Sequence, residues 1–229
     1  MTKLFFSEYD PNPAAQAARP LVIVGAGGLG REVLVLLRQL NAAGAAWDVR
    51  GFYDDHAPAG PTVAGLPYLG TSADLNATSE PLAVVVAMGH GATRAAVVAR
   101  LTSRQLSFPA LVHPGVALAP EQRIALGEGC IIQQGCILTC DIVLGRFVLL
   151  NLGCTVGHDA VLEEFCSLMP HANVGGGAHL GARSYLGTNA TVIHQVRVGA
   201  DATIGAGAVV VREVRPHATA VGVPASELR

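Results

Sequence analysis

A six-residue repeat runs without interruption from Leu126 to Arg215, and it limits the fold more than any other feature of the chain. Every sixth residue is aliphatic, and the fifth position of each hexad holds a small or β-branched residue. A period of six fits neither an α-helical turn nor the two-residue alternation of a free strand. It is typical of hexapeptide parallel β-helices. The aliphatic residues are Leu126, Ile132, Leu138, Leu144, Leu150, Val156, Leu162, Leu168, Val174, Leu180, Leu186, Val192, Val198, Ile204 and Val210.

The repeat predicts a prism built from stacked coils. Each hexad supplies a short strand and a corner, three hexads close one coil of eighteen residues, and coils stack about 4.7–4.9 Å apart by parallel pairing. The fifteen hexads therefore predict five coils, none of which buries its apolar face alone. Glycine often follows the aliphatic residue, as at Gly145 and Gly157. We expect these glycines to relieve strained backbone at the corners.

Composition agrees with a two-domain protein that contains a narrow core. The chain has 229 residues, 51% of them hydrophobic and 5% aromatic, and about 100–200 residues per domain is usual. The net charge of −2 argues against nucleic acid or an anionic membrane as the main partner. No apolar run reaches the ~20 residues that span a bilayer. Residues 1–19 lack the apolar core of a secretion signal, and we expect a disordered lead-in.

Four of the five cysteines occupy the small-residue position of the hexad. We interpret them as packing residues in a reducing cytoplasm, and we expect neither disulfides nor a metal site. They are Cys130, Cys136, Cys154 and Cys166.

The first half of the chain has a different pattern. The apolar run Leu21–Val24 precedes a glycine turn and a helical segment, a second strand ends at Asp54 and Asp55, and a third covers residues 81–88, before a helix from 92 to about 103. Alternating strands and helices predict a parallel sheet, here of some three strands. We therefore expect a Rossmann-like α/β domain over residues 20–108 and an all-β parallel β-helix over residues 109–229. Looser hexads at Val112 and Leu118 precede the strict repeat.

The glycine turn, residues 25–30, matches the pattern G-x-G-x-x-G, and Asp54 lies at about the distance of a ribose-binding acid. In such turns, backbone N–H groups at a helix N-terminus meet a diphosphate. A tight turn without a ligand gives the same pattern. A dinucleotide cofactor is a further interpretation, but the small predicted sheet favours a single nucleotide.

Taken together, several motifs resemble one family. Gly25 to Val33, Gly51 to Asp55, Asn151 to Asp159, Ile204 to Val210 and Gly222 to Ala225 are similar to the sugar O-acyltransferase family of sialic acid O-acetyltransferases and nucleotide-amino-sugar N-acetyltransferases. The resemblance covers residues 21–229. It implies a left-handed β-helix, a homotrimer with acetyl-CoA between neighbouring β-helices, and a nucleotide-activated sugar on the N-terminal domain.

His158 is the candidate catalytic base. It is the third residue of its hexad, near a corner, where its side chain can face an intersubunit cleft. Acetyl transfer needs a base to deprotonate the acceptor, and an imidazole with a pKa of about 6.5 suits that task. Asp159 is expected to orient the ring. From spacing alone a surface histidine is equally plausible, but the resemblance places the family's catalytic histidine here.

The eighteen-residue coil places other residues in one column with His158. Gly176 lies one coil away, where its backbone N–H can stabilise an oxyanion, and the resemblance implies the same role. His194 either borders the acetyl-CoA channel or is simply exposed, and Arg212 either meets a CoA phosphate or is a solvated cation. An acyl-carrying role for Cys140 is disfavoured. Some relatives carry another histidine in the coil after the catalytic one, and the aligned position here is Ser167.

The N-terminal domain carries the candidate residues for the nucleotide and the sugar. Asp54 or Asp55 can accept a hydrogen bond from a ribose hydroxyl or a base N–H, and His90 and Arg94 can meet the diphosphate. Relatives tend to have a small polar residue at position 90, and Arg94 is equally well a surface helix residue. The full set is Gly27, Gly28, Asp54, Asp55, Gly89, His90 and Arg94.

These residues predict acetyl transfer from acetyl-CoA to the amine of a nucleotide-linked amino sugar, in a cytoplasmic step of surface glycan biosynthesis. O-acetylation of a sugar such as sialic acid uses the same base and is the alternative within this mechanism. A zinc lyase of the γ-carbonic anhydrase type is disfavoured because no two histidines are close along the coils. A non-catalytic nucleotide-sugar-binding trimer remains a third class.

Overall fold

The computed structural model describes residues 18–228, which form two compact units. The α/β unit contains residues 18–89 and 93–111, and the coil unit contains residues 90–92 and 112–228. The predicted lead-in over residues 1–19 lies outside the described residues except for its last two, and Arg19 already belongs to the first strand. No helix in the described part of the chain is both long and apolar enough to cross a membrane.

The α/β unit is built on a six-stranded sheet in the order β3-β4-β2-β1-β5-β6. Only β3 is antiparallel to its neighbour. The three predicted strands are present as β1, β2 and β5, and the sheet gains the β3–β4 hairpin and the short β6. The elements are β1 (Arg19–Val24), α1 (Gly28–Ala42), β2 (Trp47–Tyr53), β3 (Thr62–Val63), β4 (Leu66–Gly70), α2 (Ser72–Asn76), β5 (Leu82–Val86), α3 (Gly91–Arg100) and β6 (Leu106–Ser107).

The central strands of this sheet are buried on both faces, as is usual for parallel sheets covered by helices. The side chains of Leu21 through Val24 in β1 and Val84 through Val86 in β5 are almost completely buried. Helix α1 presents Val33, Leu34, Leu36 and Leu37 to the core, which follows the spacing of an amphipathic helix. The buried sheet therefore fixes the carboxyl ends of β1, β2 and β5, where the predicted ligand residues follow.

The coil unit is the predicted left-handed parallel β-helix, with one two-residue strand in each of the fifteen hexads. Five strands stack in each of two walls, and the third wall gains β7, β23 and β24 at its ends. The elements are β7 (Leu111–Val112), the 3₁₀ helix η1 (Pro120–Gln122), β8 (Ala125–Leu126), β9 (Ile131–Ile132), β10 (Ile137–Leu138), β11 (Val143–Leu144), β12 (Leu149–Leu150), β13 (Thr155–Val156), β14 (Val161–Leu162), β15 (Ser167–Leu168), β16 (Asn173–Val174), β17 (His179–Leu180), β18 (Tyr185–Leu186), β19 (Thr191–Val192), β20 (Arg197–Val198), β21 (Thr203–Ile204), β22 (Val209–Val210), β23 (Thr219–Val221) and β24 (Ser226–Glu227).

The register of the coils follows the predicted spacing of eighteen. Val156 of β13 pairs with Leu138 of the preceding coil and Val174 of the next. The repeated aliphatic residues fill the prism and are buried, except for the half-buried Leu126 at the edge of the first coil. The cysteines Cys136, Cys154 and Cys166 are also buried in the small-residue position, and their thiols donate to carbonyls of the next coil. The aliphatic repeat thus sets a rigid frame for every corner residue.

The glycines that follow the aliphatic residues are at positions where a Cβ atom would be strained, as predicted, but left-handed backbone is not the cause. The left-handed corner residue is the fourth of the hexad, for example Asp141 (φ 57°) and Asp159 (φ 58°). Glycine is needed at the second position because the next coil lies too close. A Cβ atom on Gly145 would lie 2.6 Å from the backbone nitrogen of Glu164, and one on Gly157 would lie 2.6 Å from that of Gly176.

Candidate functional site

His158 lies in the corner that follows strand β13, where the backbone is fixed by both neighbouring coils. The amide of Asp159 donates to the carbonyl of Cys140 at 3.2 Å, and the amide of Gly177 donates to the carbonyl of His158 at 2.6 Å. Asp159 adopts the left-handed conformation of the corner, which aspartate tolerates better than most residues. The corner therefore holds His158 on the outside of the prism at a fixed position.

His158 and Asp159 form a hydrogen-bonded dyad. Nδ1 of His158 lies 2.7 Å from Oδ2 of Asp159, and the side chains are 67% and 66% exposed. A carboxylate at Nδ1 favours the tautomer with its proton on Nδ1, which leaves a lone pair on Nε2. The Nε2 edge of the ring is therefore the edge that can accept a proton.

Gly176 lies directly against that edge of the ring, as the eighteen-residue spacing predicts. A Cβ atom at position 176 would lie 2.6 Å from Nε2 of His158 and 2.7 Å from Cε1. The amide of Gly176 donates no hydrogen bond within the described part of the chain. An N–H group without an acceptor, on the residue that lies against Nε2, is suited to stabilise negative charge on a carbonyl oxygen.

The other members of the column lie further from the dyad. Cys140 is partly exposed, and burial followed by the hydrogen bond to Asp141 raises the pKa of its thiol, which disfavours a nucleophilic thiolate. His194 is exposed two coils beyond His158. Arg212 lies near the C-terminal end beside a cavity of about 340 Å³, and its Nη2 is 3.5 Å from Oγ of Ser226. Ser167 is completely buried.

One ion pair next to the dyad was not predicted. Arg123 donates from Nε to Oδ1 of Asp141 at 2.6 Å and also from Nη2 to Oδ2. Asp141 precedes Asp159 by eighteen residues, and Arg123 precedes Asp141 by the same number. Applying the coil spacing to Asp159 as well as to His158 would have found both residues.

The carboxyl ends of β1, β2 and β5 meet at the glycine turn of the α/β unit. The amide of Gly25 donates to the carbonyl of Tyr53 at 2.8 Å, and a Cβ atom on Gly25 or Gly30 would overlap neighbouring backbone. Positions 27 and 28 differ, since nothing lies within 4 Å of a Cβ atom there, and the same holds for Gly89. Gly27 and Gly28 therefore leave open space at the N-terminus of α1, where helical N–H groups lack internal acceptors.

The two predicted acids have structural partners. Oδ2 of Asp54 accepts from the amide of Ala26 in the glycine turn at 2.8 Å. Oδ1 of Asp55 accepts from the amide and hydroxyl of Ser72 at 2.9 and 2.7 Å, while Oδ2 pairs with Arg100 at 2.7 Å. The Ser72 hydrogen bonds are the main reason that the pKa of Asp55 is lowered. Asp54 thus shapes the turn, and Asp55 holds Ser72, the first residue of helix α2.

His90 and Arg94 differ in exposure and in partners. Arg94 is 1% exposed, and its Nη1 donates to the carbonyls of Met88 and Gly89. This geometry favours a role in holding the loop after β5 over direct contact with a diphosphate. His90 is exposed and belongs to the coil unit, where its ring stacks on Tyr185 with centroids 5.8 Å apart.

Within residues 18–228, no group of three or more His, Cys, Asp or Glu side chains is placed to hold a metal ion.

Family models match both units of the chain. The PglD N-terminal domain model matches residues 20–101, and the bacterial transferase hexapeptide model of six repeats matches residues 177–212. A search of curated proteins finds no significant match.

Solved structures resemble nearly the whole chain. PerB from Caulobacter crescentus, in complex with CoA and GDP-perosamine, is 32% identical with a TM-score of 0.83 and covers 94% of this chain and 100% of its own. The acetyltransferase domain of PglB from Neisseria gonorrhoeae, in complex with acetyl coenzyme A, is 31% identical with a TM-score of 0.83, covering 93% and 100%. WeeI from Acinetobacter baumannii is 27% identical with a TM-score of 0.82, covering 92% and 100%.

Proposed function

Since the chain belongs to the sugar acetyltransferases of the hexapeptide family, we propose that it transfers the acetyl group of acetyl-CoA to the amine of a nucleotide-linked amino sugar, with His158 as general base. PerB, at 32% identity, is a relative whose structure holds CoA and GDP-perosamine, and a second relative holds acetyl coenzyme A. The observation that carries the proposal is the His158–Asp159 dyad with Gly176 against its Nε2 edge, since the amide of Gly176 donates no hydrogen bond within the described residues.

The dyad supplies the proton transfers that the reaction needs. Nε2 of His158 removes a proton from the acceptor amine as its nitrogen attacks the thioester carbonyl, and Asp159 stabilises the imidazolium that forms. The C–S bond then breaks, and the imidazolium returns the proton to the departing thiolate. A positioned general base typically contributes about 10²–10⁴-fold to the rate.

The amide of Gly176 is positioned for the second catalytic task. Attack on the thioester places negative charge on the carbonyl oxygen, and a backbone donor stabilises that charge without reorganisation. The removal of one such donor usually costs about 10²–10³-fold in kcat. Cations at the C-terminal end, Arg212 among them, are suited to the phosphates of the donor.

The glycine turn is the proposed site of the nucleotide. Open space at Gly27 and Gly28 lets a diphosphate approach the N–H groups that begin α1. Asp54 and Asp55 keep lone pairs that can accept from the ribose or the base, and Gly89 leaves open space after β5. The hydrogen bonds that Asp54 and Asp55 accept order these carboxylates before any ligand binds.

We place the reaction in the cytoplasm, in the synthesis of activated sugars for surface glycans, and in a homotrimer with acetyl-CoA between neighbouring β-helices. Exposed apolar side chains support an intersubunit contact close to the dyad. Ile137 is 62% exposed and Val143 is 38% exposed, and they flank the corner that contains Asp141, one coil from Asp159.

The test is a thiol-release assay with acetyl-CoA across a panel of nucleotide-linked amino sugars, with mass spectrometry of the product. His158→Ala should lower kcat at least about 10²-fold, while His217→Ala, which removes an exposed corner histidine on another column, should not. Full activity in His158→Ala would refute the assigned base. Product acetylated only on oxygen would favour sugar O-acetylation, and the absence of turnover across the panel would favour a binding protein.

A further inference from the structure

The corner that holds Asp159 forms a column of charged residues. Arg123, Asp141 and Asp159 follow one another at intervals of eighteen, and all three have left-handed backbone, with φ of 49°, 57° and 58°. Equal backbone conformations at equal positions direct the side chains the same way, about 4.7–4.9 Å apart along the prism. Two carboxylates and one guanidinium are thus stacked at the edge of the proposed active site.

Asp141 is a second carboxylate close enough to act on His158. Asp141 adjoins Cys140, whose carbonyl accepts the amide of Asp159 at 3.2 Å, so its corner lies directly against that of the dyad. The hydrogen bond from Arg123 is the main cause that lowers the pKa of Asp141, and His158 contributes to it. Left unpaired, Asp141 would repel Asp159 and attract the imidazolium of His158, because like charges one coil apart destabilise each other. Arg123 occupies both oxygens of Asp141, so its carboxylate is neutralised and turned toward the preceding coil.

We propose that the Arg123–Asp141 ion pair is a positioning element of the active site, which keeps Asp159 as the sole carboxylate partner of His158 and sets the pH at which His158 ionises. The proposal rests on the proposed function for its catalytic meaning, but not for the ionisation itself. The charged and titratable groups around His158 are Asp159 on its own corner and Cys140, Asp141 and Arg123 on the preceding coils. The next coil adds no charge here, since its residues are Gly176 and Gly177, and His194 lies two coils away.

An electrostatic role of the pair can be distinguished from a purely structural one, because the charges of Arg123 and Asp141 change the pKa of His158 in opposite directions. Arg123→Gln leaves an extra negative charge beside His158, so the pKa of the imidazole should rise. Asp141→Asn leaves an extra positive charge, so that pKa should fall. In the double variant both charges are gone, and the titration should return to the wild-type midpoint. Since the side chains are largely exposed, each shift should be about 0.2–0.7 pH units.

The experiment is an NMR titration of the full-length protein with labelled histidine, in which His158→Gln identifies the resonance of His158. The control is the Arg183–Asp201 pair, which has the same bidentate geometry and the same spacing at another corner. Arg183→Gln and Asp201→Asn should leave the His158 midpoint unchanged. The shifts in the Arg123 and Asp141 variants should also shrink in about 1 M salt, where charges are screened within about 3 Å.

Opposite shifts that cancel in the double variant would support the proposal, and the acidic limb of the kcat/KM profile should move with them. Unchanged midpoints, or shifts of equal sign in both single variants, would overturn it. The NMR readout separates this inference from the proposed function. If His158→Ala kept full activity while the midpoints shifted as expected, the assignment of the base would fail and the electrostatic role of the pair would stand.

Discussion

Gly176 lies so close to His158 that a Cβ atom at position 176 would stand 2.6 Å from Nε2 of the imidazole. The two residues belong to successive coils and are eighteen positions apart. The glycine therefore does two things at once. It leaves room for the Nε2 edge of the ring, which is the proposed proton acceptor, and its amide donates no hydrogen bond within the described residues.

Gly176→Ala should damage catalysis without unfolding the protein. The added methyl group must displace the exposed ring of His158, and the displaced base should lower kcat about 10²-fold or more. Steady-state kinetics and the melting temperature should be measured together. Gly60→Ala is the matched control because nothing lies within 4 Å of its Cβ position. Unaltered kcat in Gly176→Ala would contradict the close approach of the ring.

Asp159→Asn should lower kcat while leaving the KM for both substrates nearly unchanged. The amide no longer stabilises the imidazolium, and its NH₂ group can hold the ring in the wrong tautomer. We expect a loss of about 10–10²-fold in kcat, less than the about 10²–10⁴-fold that a general base contributes in full. The pH profile of kcat should be recorded with the kinetics. A large rise in KM with normal kcat would instead assign Asp159 to substrate binding.

Gly27→Ala and Gly25→Ala should separate ligand binding from folding. A methyl group fits at position 27 in the free protein but narrows the space before α1, so the KM for the nucleotide sugar should rise while the melting temperature is kept. At position 25, φ is 110° and a Cβ atom would lie 2.7 Å from the carbonyl oxygen of Ala87, so alanine should destabilise the fold. Equal effects of both variants on stability would show that the turn is only structural.

The Arg183–Asp201 pair should stabilise the coil unit only while Asp201 is ionised. The hydrogen bonds from Arg183 lower the pKa of Asp201 below its usual range. Stability from a lowered carboxyl pKa is complete above the unfolded value of about 3.9 and is lost as the pH falls through the folded value. Asp201→Asn should therefore lower the melting temperature at pH 7, with a cost of about 1 kcal/mol or less for this partly exposed pair.

Thermal unfolding of Asp201→Asn and the wild type should be compared from neutral pH down to the acid limit of the native state. The two curves are expected to converge toward low pH. A difference that stays constant over the whole range would mean that the substitution acts through packing instead of through the charge of Asp201.

The sequence predicted the coil unit well because the six-residue period follows directly from the packing inside the prism. Each aliphatic residue must fill the prism, so Val156 and Val174 mark their strands without further information. The same frame placed Gly176 beside His158. The reason for glycine at position 157 could not be predicted from the period, because it lies in the close approach of the next coil's backbone at Gly176.

The α/β unit was less predictable. Strands β3 and β6 have two residues each, too few for a periodic signal, and Pro67 interrupts the pattern of β4. The burial of Arg94 beneath the loop after β5 depends on tertiary packing that a helical pattern does not contain. The pair of Arg123 and Asp141 was within reach of the coil spacing, although Arg123 precedes the strict repeat.

The stacking of the coils also fixes the distances between residues along the prism. Arg212 follows His158 by three coils of eighteen residues, which sets a separation along the prism of about 14 Å. Inserting or deleting one whole coil between them would change this length by about 5 Å and leave the chemistry at both ends intact. A shorter insertion would rotate the two ends onto different walls. The distance between His158 and the proposed phosphate contact at Arg212 is therefore set in whole coils, and it can evolve only in steps of that size.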